Sequence, residues 1–295
     1  MNVLTEEHNF LGLEASLSNF EKSKYVIQQA PFEATSSYLE GSKFGPKAII
    51  EASKFVEFYD PELDTQACED GICTLAAMDF KDMEGEQAVN LIRQNTEELL
   101  AKGKHVITIG AEHTITFGCV QAYHKKHPKM SLLQLDAHSD LRGTYEGSKY
   151  SHASVMARVH DLNIPISQVG IRAQCIEEAE LIKKSSIIHT WYNHQIQLND
   201  NWQEDVVKSL NDEVYITIDA DGFDPSLVPA VGTSEPGGLQ WFETLKLLKM
   251  VAQNKTIIGF DVVECAPQKN SVRSEYVLAQ LIYKLISYIS LVSKS

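Results

Sequence analysis

The sequence predicts an α/β fold, a mostly parallel sheet with helices covering both faces. Three observations carry this. Short apolar runs rich in β-branched residues recur along the chain and alternate with segments of helical pattern. No Ser/Gly-rich linker, repeat or low-complexity tract divides the 295 residues, so one domain accounts for them. Two of the apolar runs end in acidic clusters, Asp136-Ala137-His138-Ser139-Asp140 and Asp219-Ala220-Asp221-Gly222-Phe223-Asp224. Open parallel sheets hold their ligands at that carboxyl edge.

Taken in order, the predicted strands are Tyr25–Gln29, Ile72–Ala77, His105–Ile109, Ser131–Leu135, Ser167–Ile171, Ser186–Thr190, Val214–Ile218 and Thr256–Val263. Most are near-continuous apolar runs, the pattern of strands buried on both faces. Helical patterns fall at Pro46–Phe55, Gly85–Lys102, Thr116–His127, Ile176–Lys184, Trp202–Leu210, Trp241–Gln253 and Ser274–Ser293. A closed eight-stranded barrel is the alternative arrangement. The most apolar late stretch, Tyr276 to Val292, is interrupted by Gln280 and Lys284. It predicts a packed helix, because a membrane span needs roughly 20 mostly apolar residues. Two conspicuous loops, Arg142–Ser151 and the Pro- and Gly-rich Pro225–Gly238, belong at the sheet's carboxyl edge.

A hydrophobic content of 43% is enough for a substantial core, and the net charge of −14 argues against nucleic acid or an anionic membrane as partner. That balance suits a cytoplasmic enzyme acting on metal ions or cationic substrates. Five cysteines, Cys68, Cys73, Cys119, Cys175 and Cys265, form no C-x-x-C pair and read as reduced thiols. The N-terminal residues lack the basic start and apolar core of a secretory signal.

Chemistry concentrates at four strand ends. In an extended backbone Asp136, His138 and Asp140 point the same way. The run His105–Ile109 leads into Gly110-Ala111-Glu112-His113, and Thr256–Val263 into Glu264. Convergence of these ends gathers His113, Asp136, His138, Asp140, Asp219 and Asp221 into one pocket. Its four aspartates repel one another unless cations intervene, and two divalent ions cancel their formal charge. Carboxylates with two imidazoles suit manganese, with nickel, zinc or cobalt as alternatives. Paired ions can lower the pKa of a water held between them, which points to hydrolysis.

The plainer explanation is that such aspartates cap helices or shape turns, and Asp224-Pro225 fits it. For both clusters together, each after an apolar strand, the metal explanation is the stronger. His152, in the loop beyond the first cluster, can shuttle a proton to a leaving group, although most such histidines are merely solvated. Glu264 follows two valines and needs a partner, either a cationic substrate group or a neighbouring Arg or Lys. His124-Lys125-Lys126-His127 reads as a solvated helix end, and His105, His160, His189 and His194 as structural.

These residues resemble a known family. G-A-E-H at Gly110–His113, D-A-H-S-D at Asp136–Asp140 and D-A-D-G-F-D-P at Asp219–Pro225 look like the three signature motifs of the ureohydrolases, the arginase and agmatinase family. Phe44-Gly45-Pro46, Gly232–Gly238 and Val262–Pro267 extend the resemblance over about residues 24 to 290, leaving the start of the chain as an extension. It implies a three-layer α/β/α sandwich with an eight-stranded sheet, two Mn2+ ions per subunit and a trimer or hexamer. One ion would take His113, Asp136, Asp140 and Asp219, the other Asp136, His138, Asp219 and Asp221, with Asp136 and Asp219 bridging. His152 matches the family's proton shuttle and Glu264 its guanidinium-binding carboxylate, so His152, Glu264 and Asp140 are the candidate catalytic residues. The implied reaction is hydroxide attack on a guanidinium carbon, releasing urea and an amine.

Two departures keep every ligand: Ala111 stands where a second glycine is common, and Thr217 where serine is. Ala111 would restrict the backbone ahead of His113. The stretch Leu141–Tyr150 and G-T-S-E-P-G-G look more like agmatinases than arginases, which favours agmatine as substrate and putrescine as product. Glu146 could meet the distal ammonium, but a plain surface charge is the stronger reading, since exposed acids are mostly solvated. Other guanidino compounds (arginine, guanidinobutyrate, guanidinopropionate, free guanidine) and formiminoglutamate share the metal motifs. A non-catalytic scaffold or metal store is the alternative of another class, and a nucleotide-binding enzyme lacks its phosphate loop.

Overall fold

The computed structural model describes residues 2–293. Its strands are β1 (Tyr25–Ala30), β2 (Ile72–Thr74), β3 (His105–Gly110), β4 (Ser131–Leu135), β5 (Ile166–Ile171), β6 (Ile188–Tyr192), β7 (Glu213–Asp219) and β8 (Thr256–Val263). They form one open sheet in the order β2-β1-β3-β8-β7-β4-β5-β6, with every pairing between them parallel. The sheet ends at β2 and β6, so the barrel alternative does not hold. β8 lies between β3 and β7 and joins the two halves of the sheet.

The strands are continuous apolar runs because both faces are covered; β1, β2, β4 and β5 are buried at every position. Neighbouring residues of one strand serve opposite layers. Val214, Ile216 and Ile218 face one apolar layer and Tyr215 the other. Burying each such aliphatic side chain contributes about 1.5–3 kcal/mol.

The helices are α1 (Ala15–Ser18), α2 (Gly45–Ser53), α3 (Gly85–Ala101), α4 (Ile115–Lys126), α5 (Val155–Asp161), α6 (Ile176–Lys184), α7 (Asn193–Ile196), α8 (Trp202–Ser209), α9 (Trp241–Asn254) and α10 (Arg273–Val292). α2, α8, α9 and α10 cover the first face through Ile49, Val206, Leu248 and Leu281. α3, α4 and α5 cover the second through Ile92, Val120 and Val159. α10 is long and apolar enough to cross a membrane by length and composition, yet 61% of its most apolar window is buried inside the fold. It is the packed helix the sequence predicts.

Several elements differ from the sequence reading, among them the four-residue helices α1 and α7, which it lacks. β2 ends at Thr74 rather than Ala77, and the first residues take over its edge: Leu4 N–H donates to Thr74 O at 2.9 Å and Val3 bridges Leu75 antiparallel. The start of the chain is thus a clasp on the sheet, with Phe10, Leu11 and Leu13 in the core. β6 starts two residues late, because Ser185 Oγ turns the chain by accepting the Ile187 N–H at 3.3 Å. α5 was not anticipated. It spans 7 residues and grows out of a 3-10 turn at His152–Ser154, too short to show a clear period.

Candidate active site

Four central neighbours, β3, β8, β7 and β4, end on the same edge and deliver the chemistry. β3 leads to His113, β8 to Glu264, β7 to Asp219 and Asp221, and β4 to Asp136, His138 and Asp140. Gly222 lets the two acidic ends touch: a Cβ there would lie 2.8 Å from Asp136 N, closer than real Cβ contacts come. Asp221 Oδ1 in turn accepts the Ala137 N–H at 3.2 Å.

The buried His113 ring points Nδ1 at three carboxylates, Asp140 Oδ2 at 3.0 Å, Asp136 Oδ2 at 3.1 Å and Asp219 Oδ2 at 3.2 Å. That nitrogen makes no hydrogen bond of acceptable geometry. A buried lone pair ringed by carboxylate oxygens at this spacing fits a shared cation, since bonds of about 2.1 Å at right angles put ligand atoms about 3 Å apart. Beside it, His138 Nδ1 lies 2.9 Å from Asp221 Oδ2 and 3.8 Å from Asp136 Oδ1. Two candidate metal groups result, His113–Asp136–Asp140 and Asp136–His138–Asp221. They share Asp136, one oxygen turned to each. Asp219 joins the first group through Oδ2, while its Oδ1 accepts the Asp221 N–H at 2.9 Å.

The electrostatics call for positive charge. Burial raises Asp136 and Asp219, and burial with the neighbouring Asp136 pushes Asp140 up to about 7. Burial opposes charge on both imidazoles, but the carboxylates outweigh it. They lift His113 well above its usual value and His138 to about 11. Only Asp221 is lowered, its own burial outweighed by His138. Divalent cations in these two groups would replace those protons.

Glu264 is half-buried at the pocket floor with φ at +61°, and its Oε1 accepts the His113 N–H at 2.7 Å. Burial, then the nearby Glu112 carboxylate, pushes it well above the usual range. Among the described ion pairs no Lys or Arg meets it, and the positive charge on His113 favours its ionised form without offsetting the burial.

His152 is tied down rather than solvated. Its Nδ1 lies 3.0 Å from Thr35 Oγ1, and its own N–H donates to the same oxygen at 3.2 Å. Burial, aided by positive charge on His113 and His138, brings it down to about 4, so the ring is neutral at physiological pH. Thr35 Oγ1 donates to Glu112 Oε1 at 3.1 Å, and Glu112 Oε2 accepts the N–H groups of Ala34 and Thr35 at 2.8 and 2.7 Å. The sequence reading missed Thr35 and Glu112. Glu112 could have been found as an acid in an apolar strand end; nothing marks Thr35 before folding brings it to His152.

The cleft at these groups has a volume of about 330 Å3, and Tyr38, Arg142, Tyr145, Gln174, Glu178 and Glu235 are among its other lining residues, Glu178 buried with both oxygens held by the Leu141 and Cys175 N–H groups. Glu146 is not among the lining residues; it is exposed, with φ at +47°, in the turn closed by Tyr145 and Ser148, in keeping with the surface charge the sequence favours. Asp224 is a turn residue whose Oδ1 accepts the Ser226 N–H at 2.8 Å. Ala111 is absent from the positive-φ positions, so its methyl group imposes no left-handed strain ahead of His113.

A sequence profile of the Arginase family matches residues 23–287. The chain is 40% identical over 286 residues to the N(1)-aminopropylagmatine ureohydrolase of Synechocystis sp., covering 95% of this chain and 93% of that one. It is 30% identical to the agmatinase of Pyrococcus horikoshii, covering 96% and 98%. The agmatine ureohydrolase of Thermoplasma volcanium superposes with a TM-score of 0.85 at 31% identity over 95% of this chain and 94% of that one. The arginase of Bacillus caldovelox shares the fold, with a TM-score of 0.78 at 20% identity over 90% and 98%.

Proposed function

This chain belongs to the arginase family, and from that premise we propose that it hydrolyses the guanidino end of agmatine, releasing urea and putrescine. The observation that carries the proposal is Glu264, a half-buried carboxylate that no Lys or Arg meets among the described ion pairs, held by the same backbone that places His113. A planar guanidinium satisfies it with paired N–H donors. His113, Asp136, Asp140 and Asp219 would hold one divalent cation and Asp136, His138, Asp219 and Asp221 a second, with manganese as the proposed metal. When bound, the pair supplies Lewis-acid activation of a water molecule.

The chain's own groups do the rest. Glu264 orients the guanidinium carbon towards the aspartates. Asp140, whose Oδ2 lies 3.0 Å from His113 Nδ1, takes up the proton lost by the attacking water. His152, neutral and fixed by Thr35, relays a proton to the leaving amine nitrogen. The guanidinium and water become urea and an alkylammonium, with charge conserved.

A second substrate has specific support. The relative at 40% identity is named for N(1)-aminopropylagmatine, and the cleft offers Glu235 and two tyrosines to a longer cationic tail. The deciding experiment compares urea release from agmatine, N(1)-aminopropylagmatine, arginine and guanidinobutyrate with manganese-loaded and nickel-loaded protein. Agmatine or its aminopropyl derivative should lead in kcat/KM. Activity on arginine alone overturns the substrate assignment, and no urea from any compound favours the scaffold alternative. We further propose a cytoplasmic homo-oligomer, trimer or hexamer, which light scattering on the purified protein tests.

A further inference from the structure

Asp261 is a charged residue in the middle of β8, fully buried, and the proposed reaction does not use it. Both of its oxygens are occupied. Tyr215 OH donates to Oδ2 at 2.7 Å and Thr217 Oγ1 donates to Oδ1 at 2.6 Å. Thr217 and Asp261 sit side by side in the β7–β8 register, which aims both at the same layer. On its other side Thr217 Oγ1 lies 2.9 Å from His113 Nε2, and Thr116 Oγ1 approaches it at 3.3 Å.

A hydroxyl has one hydrogen to give. With that hydrogen on Asp261, Thr217 can only accept from His113, so the ring proton resides on Nε2. Nδ1 then carries the lone pair, and Nδ1 is the atom facing Asp136, Asp140 and Asp219. The direction of the chain is therefore set from both ends. We infer that Thr217 and Asp261 are positioning residues that lock His113 in the Nε2–H tautomer and orient its ring, so that Nδ1 stands ready to bind a cation. Partners of this kind tune metal affinity through the far side of the imidazole.

The inference rests on the proposed role of His113 as a ligand, and the test separates the two. Full-length protein is stripped of metal and titrated with manganese by calorimetry, beside the variants Thr217→Val, Thr217→Ala and Thr217→Ser, each checked for fold by circular dichroism. The parent should bind two ions. Thr217→Val should weaken one of the two by roughly 10- to 100-fold and leave the other near its parent affinity. Thr217→Ser, which keeps the hydroxyl, should restore both. Thr217→Ala removes the same hydroxyl without filling the space and gives the answer if the valine variant does not fold. Parent-like binding of both ions by either folded hydroxyl-free variant overturns the inference. So does failure of the serine variant to rescue. A parent that binds at most one ion overturns the ligand assignment itself.

Discussion

Two carboxylates of the site, Asp140 and Glu264, sit at φ of +53° and +61°, a region that costs a non-glycine residue about 1–3 kcal/mol. Neighbouring hydrogen bonds hold them there: Asp140 O accepts the Met156 N–H at 2.9 Å, and Glu264 N–H donates to Ala111 O at 2.7 Å. Glu264 carries a second strain, because its folded pKa is raised. Its ionisation therefore destabilises the fold as pH rises above the usual carboxylate value. Glu264→Gln should raise the melting midpoint of metal-free protein by about 2 °C at pH 8, with the gain disappearing below pH 4, a response equivalent to about 1 kcal/mol. The same variant should lose roughly 100- to 1,000-fold in kcat/KM, the cost of removing one partner of a buried charge pair. Differential scanning fluorimetry and urea assays read the two effects. His152→Ala should cost roughly 100- to 10,000-fold in kcat with both ions still bound. Thr35→Val, which frees the ring of His152, should also lower kcat while metal content measured by emission spectroscopy stays unchanged.

At the scale of elements, what the sequence displays depends on how local the cause is. D-A-H-S-D was legible as ligand-type residues closing an apolar run, although the segment leaves the strand at Leu135 and turns left-handed at Asp140, so extended alternation does not set its directions. The strand ends of β3, β4, β7 and β8 were legible as apolar runs stopped by polar ones. Thr35 was not, since its partner His152 is 117 positions away and the loop between β1 and α2 has no period. Asp261 left a trace as a single charge inside Gly259-Phe260-Asp261-Val262-Val263, but its partners come from another strand. The cluster joining α9, α10 and the segment around Asp60 was equally hidden. Lys249 and Lys284 reach the two oxygens of Glu62 at 2.7 Å each, and Lys284 also holds Asp60 at 2.7 Å. Burial alone would raise Glu62; the two lysines and Tyr288 outweigh it and bring it to about 2. A lowered carboxylate stabilises the fold above its unfolded value, and that contribution is lost as pH falls towards 2. Glu62→Gln should therefore lower the melting midpoint at pH 7, with the difference from the parent narrowing steadily between pH 4.5 and 2.5.

For the whole molecule, the acidic pocket links metal content to stability. Four buried aspartates without divalent cations depend on protons for neutrality, so an ion that binds only the folded chain stabilises it by mass action. Chelation should lower the melting midpoint, and manganese at about 100 times its dissociation constant should raise stability by about 2.7 kcal/mol. Calorimetry at fixed protein concentration measures both.

The place of β8 at the centre of the sheet also bears on how the chain comes to fold. Without β8 the sheet would divide into β2-β1-β3 and β7-β4-β5-β6, each with an inner margin that only β8 covers. The keystone is the last strand to leave the ribosome, and it carries Glu264 at its tip. A chain cut before Thr256 should therefore expose two unpaired strand edges and aggregate, which light scattering would read. Maturation of the cleft becomes the closing event of assembly, paced by contacts far apart along the polypeptide.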